Sequence, residues 1–204
     1  MKKQVIILLT AVLASTMLFD SCKKGENDPF LSLRSRKARL VGEWKLTAGE
    51  ETYTSSNSVS STTTSRTYDG SNRTSTTNGS SSTTAYVESW TFEKDGTYKM
   101  SANGGSGAGV WTIEESGTWN FMGGVGEEKK KSQIILYTLS YKETSGTSAN
   151  NVINEYTATG ASATSTIMKI DELRNKKIVF IYDNSYTPSS GTSTSLKGTK
   201  TFEQ

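Results

Sequence analysis

The chain of 204 residues has no histidine and one cysteine, Cys22. Without histidine, the Ser-His-Asp and Cys-His nucleophile systems are excluded in their usual form, as is every zinc site built on imidazole. With one cysteine there is no intramolecular disulfide and no thiolate cluster for a metal. An exported domain of this sequence must therefore hold together by its core and its strand ladders, without the staples that small exported domains often carry. Apolar residues are also scarce, at 33% beside 21% charged, a lean supply for a core. Serine, threonine and glycine make up the difference. The formal net charge is only +3, too small to suggest a nucleic-acid partner, since such proteins usually carry a dense basic face. Nothing in the composition calls for a cofactor or a metal.

Long apolar runs are missing too, with one exception at the start. "MKKQVIILLTAVLASTMLFDSC" divides into a charged beginning (Lys2, Lys3), an apolar stretch from Val5 to Phe19, and Asp20-Ser21-Cys22. The stretch is shorter than the roughly 20 residues a helix needs to span a bilayer, and the three parts read as an export signal. No second run of that length follows, so no membrane-spanning helix is expected after the leader. The segment resembles a bacterial lipoprotein signal, in its relaxed Bacteroidetes-type form, with Leu18, Ser21 and Cys22 at the matching places. Phe19 and Asp20 depart from the strict pattern. The resemblance implies a signal peptide over 1–21, acyl chains on Cys22 as the new first residue, and a place in the cell envelope, anchored in the outer membrane. More than one acyl chain makes such an anchor effectively permanent, since each buried methylene contributes about 0.8 kcal/mol.

Residues 22–39 then form a tether. Asp28-Pro29 suits the start of a short helix, as N-cap and first helical residue. "LRSRKARL" carries Arg34, Arg36, Lys37 and Arg39. It reads as the solvated face of a short helix, with contact to anionic lipid headgroups as the functional alternative.

From Leu40 to the end the hydrophobic period is two. "LVGEWKL" puts Leu40, Gly42, Trp44 and Leu46 on one face. "YVESWTFEKDGTYKM" is a hairpin with Trp90 and Phe92 inward, a turn at Lys94-Asp95-Gly96, and Tyr98 and Met100 on the return. "VWTIEESGTWNF" aligns Trp111, Ile113, Trp119 and Phe121 around a break at Ser116-Gly117. "QIILYTL" and "KIVFIY" are apolar on both faces, as in strands covered by neighbours. "STIMKI" and "SLKGTKTF" complete the set, and a tight turn at Arg174-Asn175 joins two strands. No long amphipathic helix is legible, and many short strands with Gly, Ser and Asn turns point to a sandwich or a barrel.

Between Thr52 and Thr84, 22 of 33 residues are Ser or Thr. Asp69-Gly70 inside this low-complexity insertion is a hairpin signal, so the segment is expected to extend the sheet or project from it with both faces wet. Asn72-Arg73-Thr74 and Asn78-Gly79-Ser80 match the glycosylation sequon by chance.

The run "VGEWKL … WTFEKDGTY … GTW" resembles the lipocalin-like domains of bacterial lipoproteins, over residues 40–204. The resemblance implies an all-β antiparallel meander barrel of about eight to ten strands, after the leader and the short helix. It also implies that Gly42 lets the backbone pass closely, that Trp44 plugs the closed end, and that an arginine packs on that plug. Arg174 is the nearest candidate for the arginine.

Candidate chemistry is sparse. Glu50-Glu51, Glu114-Glu115, Glu127-Glu128 and Asp171-Glu172 are adjacent carboxylates, which point to opposite faces of a strand and make no single acid/base site; they read as solvated turn charges. "NGGSGAG", Asn103 to Gly109, lacks the helix that a phosphate-cradling loop needs and reads as a flexible hairpin loop. The inward aromatics are Trp44, Trp90, Trp111, Trp119, Tyr98, Tyr137 and Phe180. They serve core packing by default, and alternatively line a pocket, since barrels of about eight strands have room for one small ligand. The expectation is a non-catalytic binding module for a small apolar molecule. The alternative is a structural or interaction lipoprotein with a filled barrel and a protein partner.

Overall fold

A computed structural model describes residues 34–57, 59–106, 109–124, 132–147, 150–157, 164–187 and 192–204. The leader, Cys22, the Asp28-Pro29 cap and Glu127-Glu128 lie outside them. One short helix, α1 (Arg36–Leu40), opens the described chain; Ser35 caps it by accepting the Ala38 N–H at 3.1 Å. Eleven strands follow: β1 (Gly42–Ser56), β2 (Ser61–Tyr68), β3 (Asn72–Thr77), β4 (Ser80–Phe92), β5 (Thr97–Ser106), β6 (Gly109–Phe121), β7 (Gln133–Thr147), β8 (Asn150–Thr157), β9 (Thr164–Leu173), β10 (Lys177–Tyr186) and β11 (Ser193–Glu203).

All neighbours pair antiparallel and the wall closes on itself. At the α1 end, Gly42–Lys45 of β1 pair directly with Ser89–Phe92 of β4. The ring there runs β1-β4-β5-β6-β7-β9-β10-β11 and back to β1, eight strands. Farther along, β1 leaves β4, and the hairpin β2-β3 fills the gap, which raises the ring to ten. Barrel diameter grows with strand number, so the wall is narrow at the α1 end and wider at the Ser/Thr-rich end. β7 is shared: Gln133–Thr138 pair with β9 and Ser140–Thr147 with β8. The antiparallel barrel expected from the sequence is the fold found, and the Ser/Thr-rich insertion is part of its wall. Asp69-Gly70 turns between β2 and β3, with Gly70 at φ 89°, and Asn78-Gly79 turns between β3 and β4 with both residues at positive φ. That second turn has the Asn-Gly chemistry of a tight hairpin.

The narrow end is filled. Trp44, Phe92, Tyr98, Trp119, Ile134, Leu136, Ile170, Leu173, Ile178, Phe180 and Phe202 are buried there in one cluster with Leu40 of α1. Trp44 is fully buried and its Nε1 donates to the Leu40 carbonyl at 2.7 Å, which ties the strand to the helix that covers it. Gly42 has φ 142°, and a Cβ there would meet the Gln204 side chain at 2.3 Å.

Four expectations need correcting. The basic helix is a solvated face only in part: Arg34 and Lys37 are exposed, whereas Arg36 and Arg39 are buried, and Arg39 donates to the Leu173 carbonyl at the barrel's closed end. The long stem of a buried arginine adds apolar contact, while the Arg39 guanidinium reaches backbone oxygen. Arg174 does not pack on Trp44; its side chain is exposed and pairs with Glu172. "NGGSGAG" is not all loop, because β5 continues to Ser106 and Gly104 pairs with Trp111. In "QIILYTL" only one face is covered: Ile134, Leu136 and Thr138 are buried, whereas Tyr137 and Leu139 lie outside, at 40% and 39% exposure.

Candidate functional site

Above the filled base, the inward-facing side chains change character. On β4 the alternation Tyr86, Glu88, Trp90, Phe92 carries one carboxylate among three rings, all buried. On β11, Lys200 shares the inward face with Phe202. On β1, the bulge between Leu46 and Ala48 shifts the pairing by one residue. Such a shift exchanges faces, so Glu51 rather than Glu50 enters the barrel and is buried.

These groups meet. Lys200 Nζ lies 2.9 Å from Glu88 Oε2 and 3.5 Å from Glu51 Oε1. Tyr68 donates to Glu51 and Tyr86 to Glu88, each at 2.6 Å. Trp90 Nε1 donates to the other oxygen of Glu88 at 2.8 Å. The ammonium also sits over three ring faces, Tyr68 at 4.8 Å, Tyr182 at 5.4 Å and Tyr86 at 5.5 Å, an arrangement that the ring quadrupole favours. A buried charge is tolerated only when paired and hydrogen-bonded, and here each one is. Burial pushes the Tyr68, Tyr86 and Tyr182 phenols well above their ordinary value, and the neighbouring carboxylates push in the same direction.

A second carboxylate stands on β6. Glu115 Oε1 accepts from the Tyr98 hydroxyl and, at 2.9 Å, from Thr138. Burial first, and then the bond to Glu115, raise the Tyr98 phenol. Between the Lys200 cluster and Glu115 lies a cavity of about 270 Å³. Its wall includes Trp90, Met100, Ala102, Trp111, Ile113, Glu115, Leu136, Met168, Tyr182 and Lys200. Gly104 makes room for the Trp111 ring: a Cβ there would lie 2.8 Å from Trp111 Cζ2 and 2.5 Å from the Ala85 carbonyl oxygen. A larger hollow of about 570 Å³ lies across the wall at β4 to β8, where Lys99, Glu114, Lys142 and Glu155 line it together with Glu115, which borders both spaces. It is polar and mixed in charge, and the aromatic side chains of the barrel interior do not line it. Among the described residues no three Asp, Glu, His or Cys side chains converge to hold a metal ion.

Of the residues singled out from the sequence, Trp90 and Trp111 line the cavity and Tyr98 anchors Glu115 at its edge. Trp44, Trp119 and Phe180 belong to the filled base, and Gly42 to its rim. Tyr137 is on the outer surface, opposite Thr118, because its neighbours Leu136 and Thr138 take the inward slots. Cys22 lies outside the described residues. The carboxylates read as solvated turn charges need correction too: Glu51 and Glu172 are buried, and Glu115 is half-buried. Their neighbours Glu50 and Glu114 are exposed, and Asp171 is half-buried. Glu51, Glu88, Glu115, Lys200, Tyr68, Tyr86 and Tyr182 were not anticipated as a site. A signal existed for Glu88, which holds the inward slot between Tyr86 and Trp90. None existed for Glu51, whose face depends on a bulge. No protein-family model matches the chain, and no curated protein matches it.

Proposed function

We propose that this chain is a lipid-anchored lipoprotein of the cell envelope, held in the outer membrane by acyl chains on Cys22, and that its lipocalin-like barrel is a non-catalytic binding module for a small ligand with an apolar body. The observation that carries the binding reading is the cavity of about 270 Å³ inside the closed wall, close to the lower end of ordinary ligand sites of about 300–1,000 Å³. Trp90, Met100, Trp111, Ile113, Leu136 and Met168 supply apolar surface to it. The carboxylates of Glu51 and Glu88 support a non-catalytic reading, because Lys200 and two tyrosines occupy them. A general acid/base pair needs carboxylates that can reach a substrate.

Binding is tested with the neutral, environment-sensitive dye N-phenyl-1-naphthylamine. Its fluorescence should rise on mixing and fall on competition by small apolar compounds. Ala102→Leu, which adds three carbons to a buried wall position, should abolish the rise without unfolding the protein. A dye response that is absent in the parent chain, or unchanged in the variant, contradicts a ligand site in the cavity. The anchor is tested by incorporation of a labelled fatty acid, expected in the parent and lost in Cys22→Ser.

One observation favours a second reading, an interaction lipoprotein. β8 exposes Val152 and Ile153, at 59% and 58%, and among the described residues its second edge pairs with no strand. Unpaired edges are templates for a partner strand.

A further inference from the structure

Resting on the reading of the barrel as a binding module, we infer that the ligand's polar end is a cation, an amine or other ammonium group, and that Glu115 is the residue that reads it. Three charged side chains line the cavity: Glu88, Glu115 and Lys200. Lys200 and Glu88 neutralise each other at 2.9 Å, and Glu51 adds a second carboxylate to the same ammonium. Glu115 is different. Both of its hydroxyl donors, Tyr98 and Thr138, go to Oε1. Among the described residues no donor reaches Oε2 and no cation pairs with the group. Nor is Oε2 sealed away: it is not among the buried atoms left without a partner.

The remaining charge of the cavity wall is thus one carboxylate, held by two hydroxyls through Oε1, with Oε2 accepting from no described residue; the same side chain also borders the polar hollow that Lys99 and Lys142 line. An entering ammonium completes the carboxylate, forming a charge-assisted hydrogen bond that is roughly twice as strong as a neutral one. Trp90 and Trp111 border the same space, and an indole attracts a cation that lies against its face. An anionic ligand meets the reverse. It would have to displace Glu88 or Glu51 from Lys200 and would leave a carboxylate buried and unpaired, which is strongly unfavourable. A neutral apolar ligand offers the carboxylate no donor and so gains nothing from it.

The test uses the mature chain, Cys22 to Gln204, and three probes with similar bodies: 2-phenylethylamine, 2-phenylethanol and 3-phenylpropanoate. Calorimetric titration at neutral pH should show the amine binding at least tenfold tighter than the alcohol, and the carboxylate weakest of the three. Glu115→Gln should remove the amine's advantage, so that the amine and the alcohol bind with equal affinity. Thr138→Val, which releases one of the two hydroxyls that orient the carboxylate, should reduce the advantage without removing it, and guards against a Gln variant that fails to fold. Equal affinity for amine and alcohol, preference for the carboxylate, or an amine preference that survives Glu115→Gln overturns the inference and leaves the binding module standing. Absence of binding by all three probes also overturns it. If N-phenyl-1-naphthylamine fails to bind as well, the binding reading falls with it.

Discussion

At the scale of single residues, the least ordinary feature is Lys200, a buried ammonium in a barrel with few apolar residues to spare. Its two carboxylates, the hydroxyls of Tyr68 and Tyr86 and the Trp90 N–H make a closed set. Removing one member of such a set costs more than the set contributes, because the others stay buried and unpaired. Lys200→Met should therefore lower stability by about 3–5 kcal/mol, read as a drop in the denaturant midpoint. Adding Glu51→Gln and Glu88→Gln should recover much of that loss, since no unpaired charge is then left inside. A Lys200→Met protein as stable as the parent would show that the cluster is hydrated rather than enclosed. Half of this cluster was within reach of the sequence. Glu88 and Lys200 obey the same period as Trp90 and Phe202, and strict alternation places them inward. Glu51 disobeys it, because the extra residue at Thr47 exchanges the faces of everything that follows on β1.

At the scale of elements, the barrel is made of two unlike parts. The strand segments around α1 carry the large apolar side chains, and β2 with β3 carry hydroxyls. The latter are held by ladders and by cross-strand contacts such as Thr64–Thr77 at 2.7 Å and Thr74–Thr83 at 2.9 Å, with Tyr68 as their buried aromatic ring. Local opening is easiest where apolar burial is least. Hydrogen exchange should thus be slowest for the amides of Gly42–Lys45 in β1 and Ser89–Phe92 in β4, which pair directly at the filled end, and clearly faster for β2 and β3. Uniform protection along the wall would contradict this division. The hairpins themselves were legible because their turns are written in Asp69-Gly70, Asp95-Gly96 and Arg174-Asn175. The extent of β5 was not: a glycine-rich stretch looks like a loop, whereas Gly104 is in the strand to leave space for Trp111.

At the scale of the whole molecule, alkaline pH should be the condition that unlocks the interior. Burial raises the phenols of Tyr68, Tyr86, Tyr98 and Tyr182 above their ordinary value of 10.0. A group whose value is higher folded than unfolded contributes stability that is fully present below its unfolded value and is lost as pH rises toward the folded one. Stability should therefore fall above pH 10, with the phenolate absorbance of these four appearing together with the loss of circular dichroism. Acid acts on the opposite sign. Burial raises the Glu172 carboxyl, but hydrogen bonds from Lys177 and Arg174 outweigh it and hold it below the usual range. Its contribution is complete at neutral pH and is lost as pH falls below the ordinary carboxylate range. Reversible ionisation of all the tyrosines in the folded protein would contradict the enclosed interior. The closed antiparallel barrel itself was readable from period-two strands and their turns. What the barrel contains was not, because it depends on which members of distant strands meet across it.

The measurement that tests the account most directly is native mass spectrometry of the soluble protein beginning at Lys23, purified from its natural host and compared with the same sample denatured. The account predicts an added mass of one small molecule that disappears on denaturation, and that the released molecule carries a basic nitrogen. A bare protein mass, in a sample that also fails to take up N-phenyl-1-naphthylamine, would contradict it.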